Sequence, residues 1–212
     1  MSGLLQKDLC LLLQRSQILI VLVGVGVLMG FSTEGSFVIG YMTMLCAILT
    51  IGTISYDEFD NGYPFLFTLP ITKKSYVLSK YLFCLIGSLA GWGVSAVIYV
   101  ICSVIRGNGV AFEDVLDTLA FLPVFGLIIA VMLPIQLKFG AEKSRVVLAV
   151  AAGGIFALGY LGRRFLPKDL RIPAFILNAG DAVILVMLLA VSVAALLISC
   201  QASVHIMNKK EY

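Results

Sequence analysis

The sequence predicts an all-α membrane protein with six transmembrane helices, and three observations carry this prediction. Hydrophobic residues fill 60% of the 212 positions, charged residues fill only 13%, and the mean hydropathy is +1.05. A soluble domain of this size would expose too much apolar surface to stay dispersed. The charged residues also cluster between long apolar stretches, as expected where helices cross a bilayer.

Six stretches are long and apolar enough, or nearly so, to be spans. A helix needs about 20 mainly apolar residues to cross a hydrocarbon core of ~30 Å. The predicted spans, none of which contains Asp, Glu, Lys or Arg, cover residues 17–33, 35–56, 81–105, 118–137, 146–162 and 182–207. A charge near mid-membrane costs ~2.5–3.5 kcal/mol, so this absence supports each span. We expect one transmembrane domain over residues 1–212, whose first two spans form an antiparallel hairpin.

The N-terminal segment, residues 4–16, is amphipathic. Lys7, Asp8, Gln14 and Arg15 fall on one face at helical spacing, and most of the leucines fall elsewhere. This pattern predicts a helix that lies in the cytoplasmic membrane interface, in contact with lipids. Two roles stay open for it, a plain membrane anchor or a surface that also touches a cytoplasmic partner. A cleaved signal peptide is disfavoured, because no small-residue cleavage site follows the apolar stretch.

The distribution of Lys and Arg predicts the orientation of the chain. With the N-terminus inside, ten of the 15 basic residues lie in inner segments: Lys7, Arg15, Lys73, Lys74, Lys80, Lys138, Lys143, Arg145, Lys209 and Lys210. The outer segments hold Arg106, Arg163, Arg164, Lys168 and Arg171. Inner segments are usually the more basic ones, so both termini are expected in the cytoplasm.

The connection between the second and third spans, residues 56–80, is the most informative segment. It opens with the acidic and aromatic run Tyr56-Asp57-Glu58-Phe59-Asp60, and it continues through apolar residues to Pro70 and Thr72. The acids favour the start of a short helix, Pro70 a break, and Thr72 the cap of the next helix, which runs into the span. So many apolar groups need either lipid headgroups or a protein surface.

Several classes of function find no support in the sequence. There is no GxxxxGK[ST] nucleotide-binding loop, no cluster of metal ligands and no catalytic triad at useful spacing. The one histidine, His205, is interpreted as packed or interfacial, and the five cysteines as small buried hydrophobes. The spans lack a carboxylate for ion relay. The small net charge of +3 argues neither for nor against nucleic acid, and no nucleic-acid partner is expected.

The loop features together resemble the permeases of the ABC type-2 exporter family. The resemblance is carried by the acidic and aromatic cluster, by Leu69-Pro70-Ile71-Thr72-Lys73 and by Ser79-Lys80-Tyr81. A second inner loop, from Lys138 to Arg145, is similar to the family's short loop before span five. The order of amphipathic start, six spans, two inner loops and a long outer segment extends the resemblance over the whole chain. Within the family, the chain resembles the small bacterial permeases that export amphipathic peptides.

The resemblance implies a half-transporter in a bacterial plasma membrane. A second permease copy, identical or related, would complete the pathway, and separate ABC ATPase subunits would bind the ATP and Mg, with no cofactor in this chain. A coupling helix in the first inner loop would contact the ATPase. By position, the resemblance assigns this coupling to Asp57, Glu58, Phe59, Asp60, Tyr63, Phe65 and Leu69, and a smaller contact to Phe139, Glu142, Lys143 and Arg145.

The outer segment before the last span, residues 163–181, looks like the family's re-entrant pair of short helices. Pro167 and Pro173 prevent one continuous helix there. The resemblance implies an outer gate that includes Arg163, Arg164, Phe165 and Phe175. A solvated loop with interfacial anchors is the alternative.

Three functions therefore compete. The first is the permease of an ATP-driven exporter, whose uncharged spans suit a hydrophobic or amphipathic substrate. The resemblance to small peptide exporters favours short peptides. The second is a non-transporting membrane protein, such as a bacteriocin immunity factor or a scaffold. The third is a secondary carrier, which has less support because the two halves show no internal repeat.

Overall fold

The computed structural model describes residues 2–14, 16–32, 35–58, 62–107, 118–165 and 181–210. Within these ranges every regular element is helical, which confirms the all-α prediction. The elements in chain order are α1 (Ser2–Gln14), α2 (Ser16–Ser32), α3 (Gly35–Glu58), α4 (Gly62–Thr68), α5 (Lys73–Ile105), a 3-10 turn (Thr118–Ala120), α6 (Phe121–Phe165) and α7 (Asp181–Lys209).

Four helical segments in the described part of the chain are long and apolar enough to cross a membrane. They are Phe37–Glu58, Lys73–Ile105, Thr118–Gly140 and Val183–Lys209, and they correspond to the second, third, fourth and sixth predicted spans. α1 and α2 would add a fifth if this pair, bent by 69°, counts as one span. The protein is thus a multi-pass membrane protein, while the count of six stays a prediction.

The helices α3 and α5 pack closely because small residues face each other. A Cβ atom on Gly87 would lie 2.2 Å from the Cγ2 atom of Thr50, and one on Gly91 would lie 2.5 Å from the Cβ atom of Cys46. Larger side chains at these glycines would push the two helices apart. Residue numbers along this contact increase in α5, from Gly87 to Gly91, while they decrease in α3, from Thr50 to Cys46. The two helices are therefore antiparallel.

The first half of α6 and the helix α7 run in the same direction. Gly126 lies against Ser192, and the carbonyl oxygen of Ala130 accepts a hydrogen bond from the hydroxyl of Ser199. Within α6, Gly140 interrupts the helix with φ 80° and ψ 170°, and the backbone is helical on both sides of it. The inner loop predicted from Lys138 to Arg145 was therefore wrong in form, because one left-handed residue makes the break.

One end of the bundle carries α1, α4 and the C-terminal residues, and we call it the α4 end. Lys7 of α1 pairs with Asp57 of α3 there. The ammonium of Lys73 donates a 2.7 Å hydrogen bond to the carbonyl oxygen of Lys210. α1 and Lys210, which are close to the two ends of the described chain, thus lie on the same side of the bundle. The main core lies at this end too, and its residues come from α1 and from α3 to α7: Leu4, Ile51, Ile54, Tyr63, Leu66, Tyr76, Val77, Tyr81, Cys84, Ile129, Leu133, Leu137 and Met207.

A buried ion cluster behind the candidate coupling helix

The connection between α3 and α5 forms a short helix, a break and a capped helix, as the sequence predicts. Thr72 is the N-cap of α5, with φ −82° and ψ 145°, and its hydroxyl accepts a 3.2 Å hydrogen bond from the backbone N–H of Ser75. The start of the short helix was predicted wrongly, because Asp57 and Glu58 end α3 and α4 begins at Gly62. A Cβ on Gly62 would lie 2.6 Å from the carbonyl oxygen of Asp57, so the chain turns closely over the end of α3.

The apolar residues of α4 and the following turn divide into a buried and an exposed set. Tyr63 and Leu66 are only 6% and 7% exposed, and the ring of Tyr63 meets the ring of Tyr76 edge-on at 5.9 Å. Phe65 and Leu69 are 74% and 48% exposed. The helix is therefore fastened to the bundle by one face, and it presents large apolar groups on the other.

Behind α4 lies a cluster of four buried or half-buried charges, which we call the ion cluster: Lys7, Asp8, Asp57 and Lys80. The ammonium of Lys80 lies 2.8 Å from a carboxylate oxygen of Asp8 and 2.7 Å from one of Asp57. Lys7 pairs with the other oxygen of Asp57 and lies 3.4 Å from Asp8. The formal charges of the cluster cancel, and this pairing offsets part of the cost of removing them from water.

Two neutral side chains complete the cluster. The hydroxyl of Tyr76 donates a 2.9 Å hydrogen bond to Asp57, and Lys80 donates a 3.3 Å hydrogen bond to the hydroxyl of Thr53. Lys80 thus directs its three N–H groups at three acceptors, Asp8, Asp57 and Thr53. Asp57 accepts from Lys7, Lys80 and Tyr76. These contacts join α1, α3 and α5 through side chains at one point.

Asp8 is the least satisfied member of the ion cluster. It is 1% exposed, and its Oδ2 atom has no hydrogen-bond partner among the residues that the structure describes. A buried acceptor without a partner costs roughly 1–3 kcal/mol. The attachment of α1 is therefore weaker than the attachment between α3 and α5.

The amphipathic N-terminal helix turns its acidic residue toward the protein. Asp8 is buried in the ion cluster and Leu4 in the main core, whereas Leu9 and Leu13 are 49% and 54% exposed. The sequence pattern predicted the polar face and the lipid contact of this helix. It did not indicate that the acid on that face has a buried lysine as its partner.

The break in α6 lies beside the end of α3. A Cβ on Gly140 would lie 2.1 Å from a carboxylate oxygen of Glu58, so this carboxylate rests directly against the glycine. The next helical segment begins there, and the positive end of its dipole favours a carboxylate. Phe139, which is 41% exposed, carries the ammonium of Lys138 5.1 Å from the centre of its ring. Two neighbouring residues of α3 therefore contact different helices, because Asp57 contacts α1 and α5 and Glu58 contacts α6.

The structure brings together only part of the predicted coupling set. Asp57 and Tyr63 face inward, Phe65 and Leu69 face outward, and Glu142 and Lys143 are exposed on α6. Some predicted residues lie outside the described residues: Arg15, Phe59, Asp60 and Phe175. Others lie on described backbone, but their side chains are outside the described part: Arg145, Arg163, Arg164 and Phe165.

Sequence reasoning missed Lys80, Tyr76 and Thr53 as members of one site. A signal for Lys80 was present, because it falls within a helical stripe of α5 residues that are otherwise uncharged: Tyr76, Val77, Tyr81 and Cys84. A charge at such a position predicts a buried partner. The sequence interpretation instead counted Lys80 among the basic residues of the inner surface.

Helices that cross a membrane several times, with a short helix fastened across one end, define a multi-pass helical membrane protein with a candidate docking element. The family model described as "ABC-2 family transporter protein" matches residues 3–208. The chain belongs to this family of transporter membrane proteins, as the resemblance of the loops predicted. No curated protein matches the chain.

Proposed function

We propose that this chain is the permease subunit of an ATP-driven exporter and that a separate ABC ATPase drives it through α4. Membership of the ABC-2 family supports a transport role. The observation that carries the coupling role is the division of the α4 segment into an anchored face and an exposed apolar face. The exposed face of α4 suits binding of a partner, and the anchored face lets that partner move the bundle.

The proposed permease crosses the membrane six times. Support comes from the direction of the helices, because the first half of α6 and α7 both run toward the α4 end. The chain must therefore return to the opposite end between Gly140 and Asp181, and α6 continues as helix to Phe165. α2 adds the first crossing, because α1 lies at the α4 end and Gly30 of α2 lies against Cys102 near the other end of α5.

The same arrangement supports the proposed orientation. α1, α4 and Lys210 lie at one end, which also carries the lysines at positions 73, 74 and 209. Basic residues favour the cytoplasmic side. We therefore place the α4 end in the cytoplasm of a bacterial cell, where an ATPase would meet it.

Phe65 and Leu69 are the proposed anchors of the ATPase contact. A few residues that fill pockets on a partner carry most of the binding energy at interfaces, and aromatic groups are common among them. Asp57 and Tyr63 support this contact indirectly. They are buried beneath it and hold α4 and the end of α3 in place. Glu58, Phe139, Glu142 and Lys143 form the proposed second contact beside the break in α6.

The proposed substrate is a hydrophobic or amphipathic molecule, with short peptides favoured. The predicted spans contain no charged residue, and a pathway without buried charges suits an amphipathic molecule better than an ion or sugar. Two permease copies would enclose the pathway, and ATP and Mg would bind to the partner ATPase. The wide apolar surfaces of α2 and α7 leave room for both lipid and a second copy.

The test replaces the two exposed anchors and measures binding of the ATPase. The purified chain is reconstituted with its proposed ABC ATPase partner, and Phe65→Ala combined with Leu69→Ala is compared with native protein. We expect the affinity for the ATPase to fall about 30-fold or more, which corresponds to ~2 kcal/mol for lost anchors. Val97→Ala, at an exposed apolar position in mid-span, is the control and should bind normally. Unchanged ATPase binding by the double variant would refute the coupling role, and a native chain that binds no ATPase would favour the non-transporting alternative.

A further inference from the structure

We propose that the ion cluster is a latch that transmits movement of α4 to α1, and through α1 to the first transmembrane helix. The proposal rests on the proposed function, because it needs an ATPase that moves α4. It goes further by assigning positioning roles to Lys7, Asp8, Lys80 and Tyr76. Of these, only Lys7 and Asp8 belonged to any predicted site, namely the interfacial helix, for which a membrane anchor and a partner surface both stayed open.

The path from α4 into the bundle consists of direct contacts. The ring of Tyr63 meets the ring of Tyr76 at 5.9 Å, and the hydroxyl of Tyr76 is 2.9 Å from Asp57. Tyr76 is 0% exposed, so its ring is enclosed. A shift of α4 must either carry Tyr76 with it or open a gap in the core, and packed interiors resist gaps. The hydrogen bond from Tyr76 to Asp57 therefore changes when α4 moves.

Asp57 passes this change to α1, because its carboxylate is shared. Tyr76, Lys7 and Lys80 all donate to it, and both lysines also contact Asp8 of α1. Any change in the ion pairs between Asp57 and the two lysines therefore alters the ion pairs of these lysines with Asp8. Helix α2 begins at Ser16, two residues after α1 ends, so α1 and the first span move together.

Asp57 and Asp8 differ in how many hydrogen bonds they accept, and this difference indicates that the contact to Asp8 is the one that opens. Asp57 accepts three hydrogen bonds, whereas Asp8 binds through Oδ1 and leaves Oδ2 buried without a partner in the described part of the chain. An unpaired oxygen raises the free energy of this arrangement and gives the lysines a second acceptor to occupy. On the α1 side of the ion cluster, the lysines can thus bind either Oδ1 or Oδ2 of Asp8.

The ion cluster is also reachable from the surface. An open groove between α1 and the α4–α5 connection is lined by Gly3, Leu4, Lys7, Leu66, Leu69 and Ile71. The side chain of Lys7 is 32% exposed and extends from this groove to Asp57. A partner that binds Leu69 therefore lies next to a charged member of the latch.

A latch and a simple structural brace predict different results when α1 loses its charges. Lys7→Met combined with Asp8→Leu removes one positive and one negative charge, and leaves Lys80 paired with Asp57 and Thr53. Buried ion pairs replaced by apolar residues of similar size often leave stability unchanged. The double variant is therefore expected to fold and to bind the ATPase. Because α1 is no longer held by the ion cluster, ATP hydrolysis should continue while transport per ATP falls at least tenfold.

The control uses the same helix and the same kind of change. Gln6→Met combined with Gln14→Leu replaces two exposed polar residues of α1 with apolar ones, away from the ion cluster. It should transport as many substrate molecules per ATP as the native chain. Tyr76→Phe removes only the hydroxyl that donates to Asp57. It should fold normally and lower the transport-to-ATP ratio severalfold, which keeps the test decisive if the α1 variant does not fold.

Four measurements are made on each reconstituted complex: melting temperature, ATPase binding, ATP hydrolysis and flux of a fluorescent amphipathic peptide. Native transport-to-ATP ratios in both Lys7→Met/Asp8→Leu and Tyr76→Phe would overturn the latch and leave the proposed function standing. Losses of hydrolysis and flux that follow a fall in melting temperature would reduce the ion cluster to a structural brace. A native chain that shows no ATP-dependent flux with its ATPase would overturn both proposals.

Discussion

Replacement of Lys80 by methionine tests whether the ion cluster is as tightly coupled as its geometry indicates. Methionine nearly preserves the length and volume of the lysine stem while removing its ammonium. Asp57 would keep Lys7 and Tyr76 as partners, but Asp8 would keep only Lys7, whose ammonium is 3.4 Å away. The buried group would carry a net negative charge, because two carboxylates would share one lysine.

The expected loss follows from these contacts. Breaking a buried ion pair by removing one partner costs about 3–5 kcal/mol. Because Asp57 remains paired, we expect the lower end, about 3 kcal/mol, which is more than a hundredfold in the folding equilibrium. Adding Asp8→Leu restores neutrality, so the double variant should be more stable than the sum of the two single losses by about 1–2 kcal/mol.

Unfolding in mixed detergent micelles, followed by fluorescence of Trp92, measures these losses. Trp92 is the single tryptophan of the chain, and its ring N–H donates a 3.0 Å hydrogen bond to Thr118. Its emission therefore reports contact between α5 and the 3-10 turn that precedes α6. Lys74→Met, an exposed lysine on the same helix, is the matched control and should change the free energy of unfolding by less than 0.5 kcal/mol, a typical limit for surface changes. A loss below ~1 kcal/mol for Lys80→Met would refute the interpretation of the ion cluster as tightly coupled.

Three further changes test the surrounding structure, each by its free energy of unfolding. Gly140→Ala should cost at least ~1–2 kcal/mol, because its φ is +80° and a Cβ would strike the carboxylate of Glu58. Gly87→Ala should cost about 1–3 kcal/mol, because its methyl would lie 2.2 Å from Thr50 and force α3 and α5 apart. Thr72→Ala should cost ~1 kcal/mol by removing the N-cap of α5, and Thr72→Ser should recover most of that loss.

Two other glycines provide controls for the alanine substitutions. A Cβ on Gly52 or Gly93 would meet no atom within 4 Å, and both lie in helices. Alanine is a better helix former than glycine, so these two changes should be neutral or slightly stabilising. Equal losses at all four glycines would show that helix packing and the left-handed break do not cause the effects.

The sequence predicted the helical class and the ends of α5 well. These features depend on local signals, namely apolar stretches and the Pro70 break with the Thr72 cap. The predicted loop from Lys138 to Arg145 was less successful, because polar residues in sequence indicate exposure to water but not an end to helical backbone. A single glycine at positive φ makes the break without a loop.

The ion cluster was beyond reach of the same reasoning. Its members lie at positions 7, 8, 57 and 80, and nothing local relates them. Asp57 and Lys80 stand just outside the predicted spans, where charges are ordinarily solvated. The apolar stripe around Lys80 predicts a buried partner for it, but does not identify that partner as Asp8 or Asp57. The exposed pair Phe65 and Leu69 was predicted as part of a larger set, and only the packing of Tyr63 on Tyr76 separates the outward residues from the inward ones.

The contact between Asp8 and Lys80 sets an order for assembly of the chain. The two residues are 72 positions apart, so the N-terminal helix is synthesised long before its partner. Until α5 has entered the bilayer, the buried ammonium of Lys80 is not in place for Asp8. α1 is therefore made before α5 but reaches its final place after it, and its docking reports that α3 and α5 have already come together.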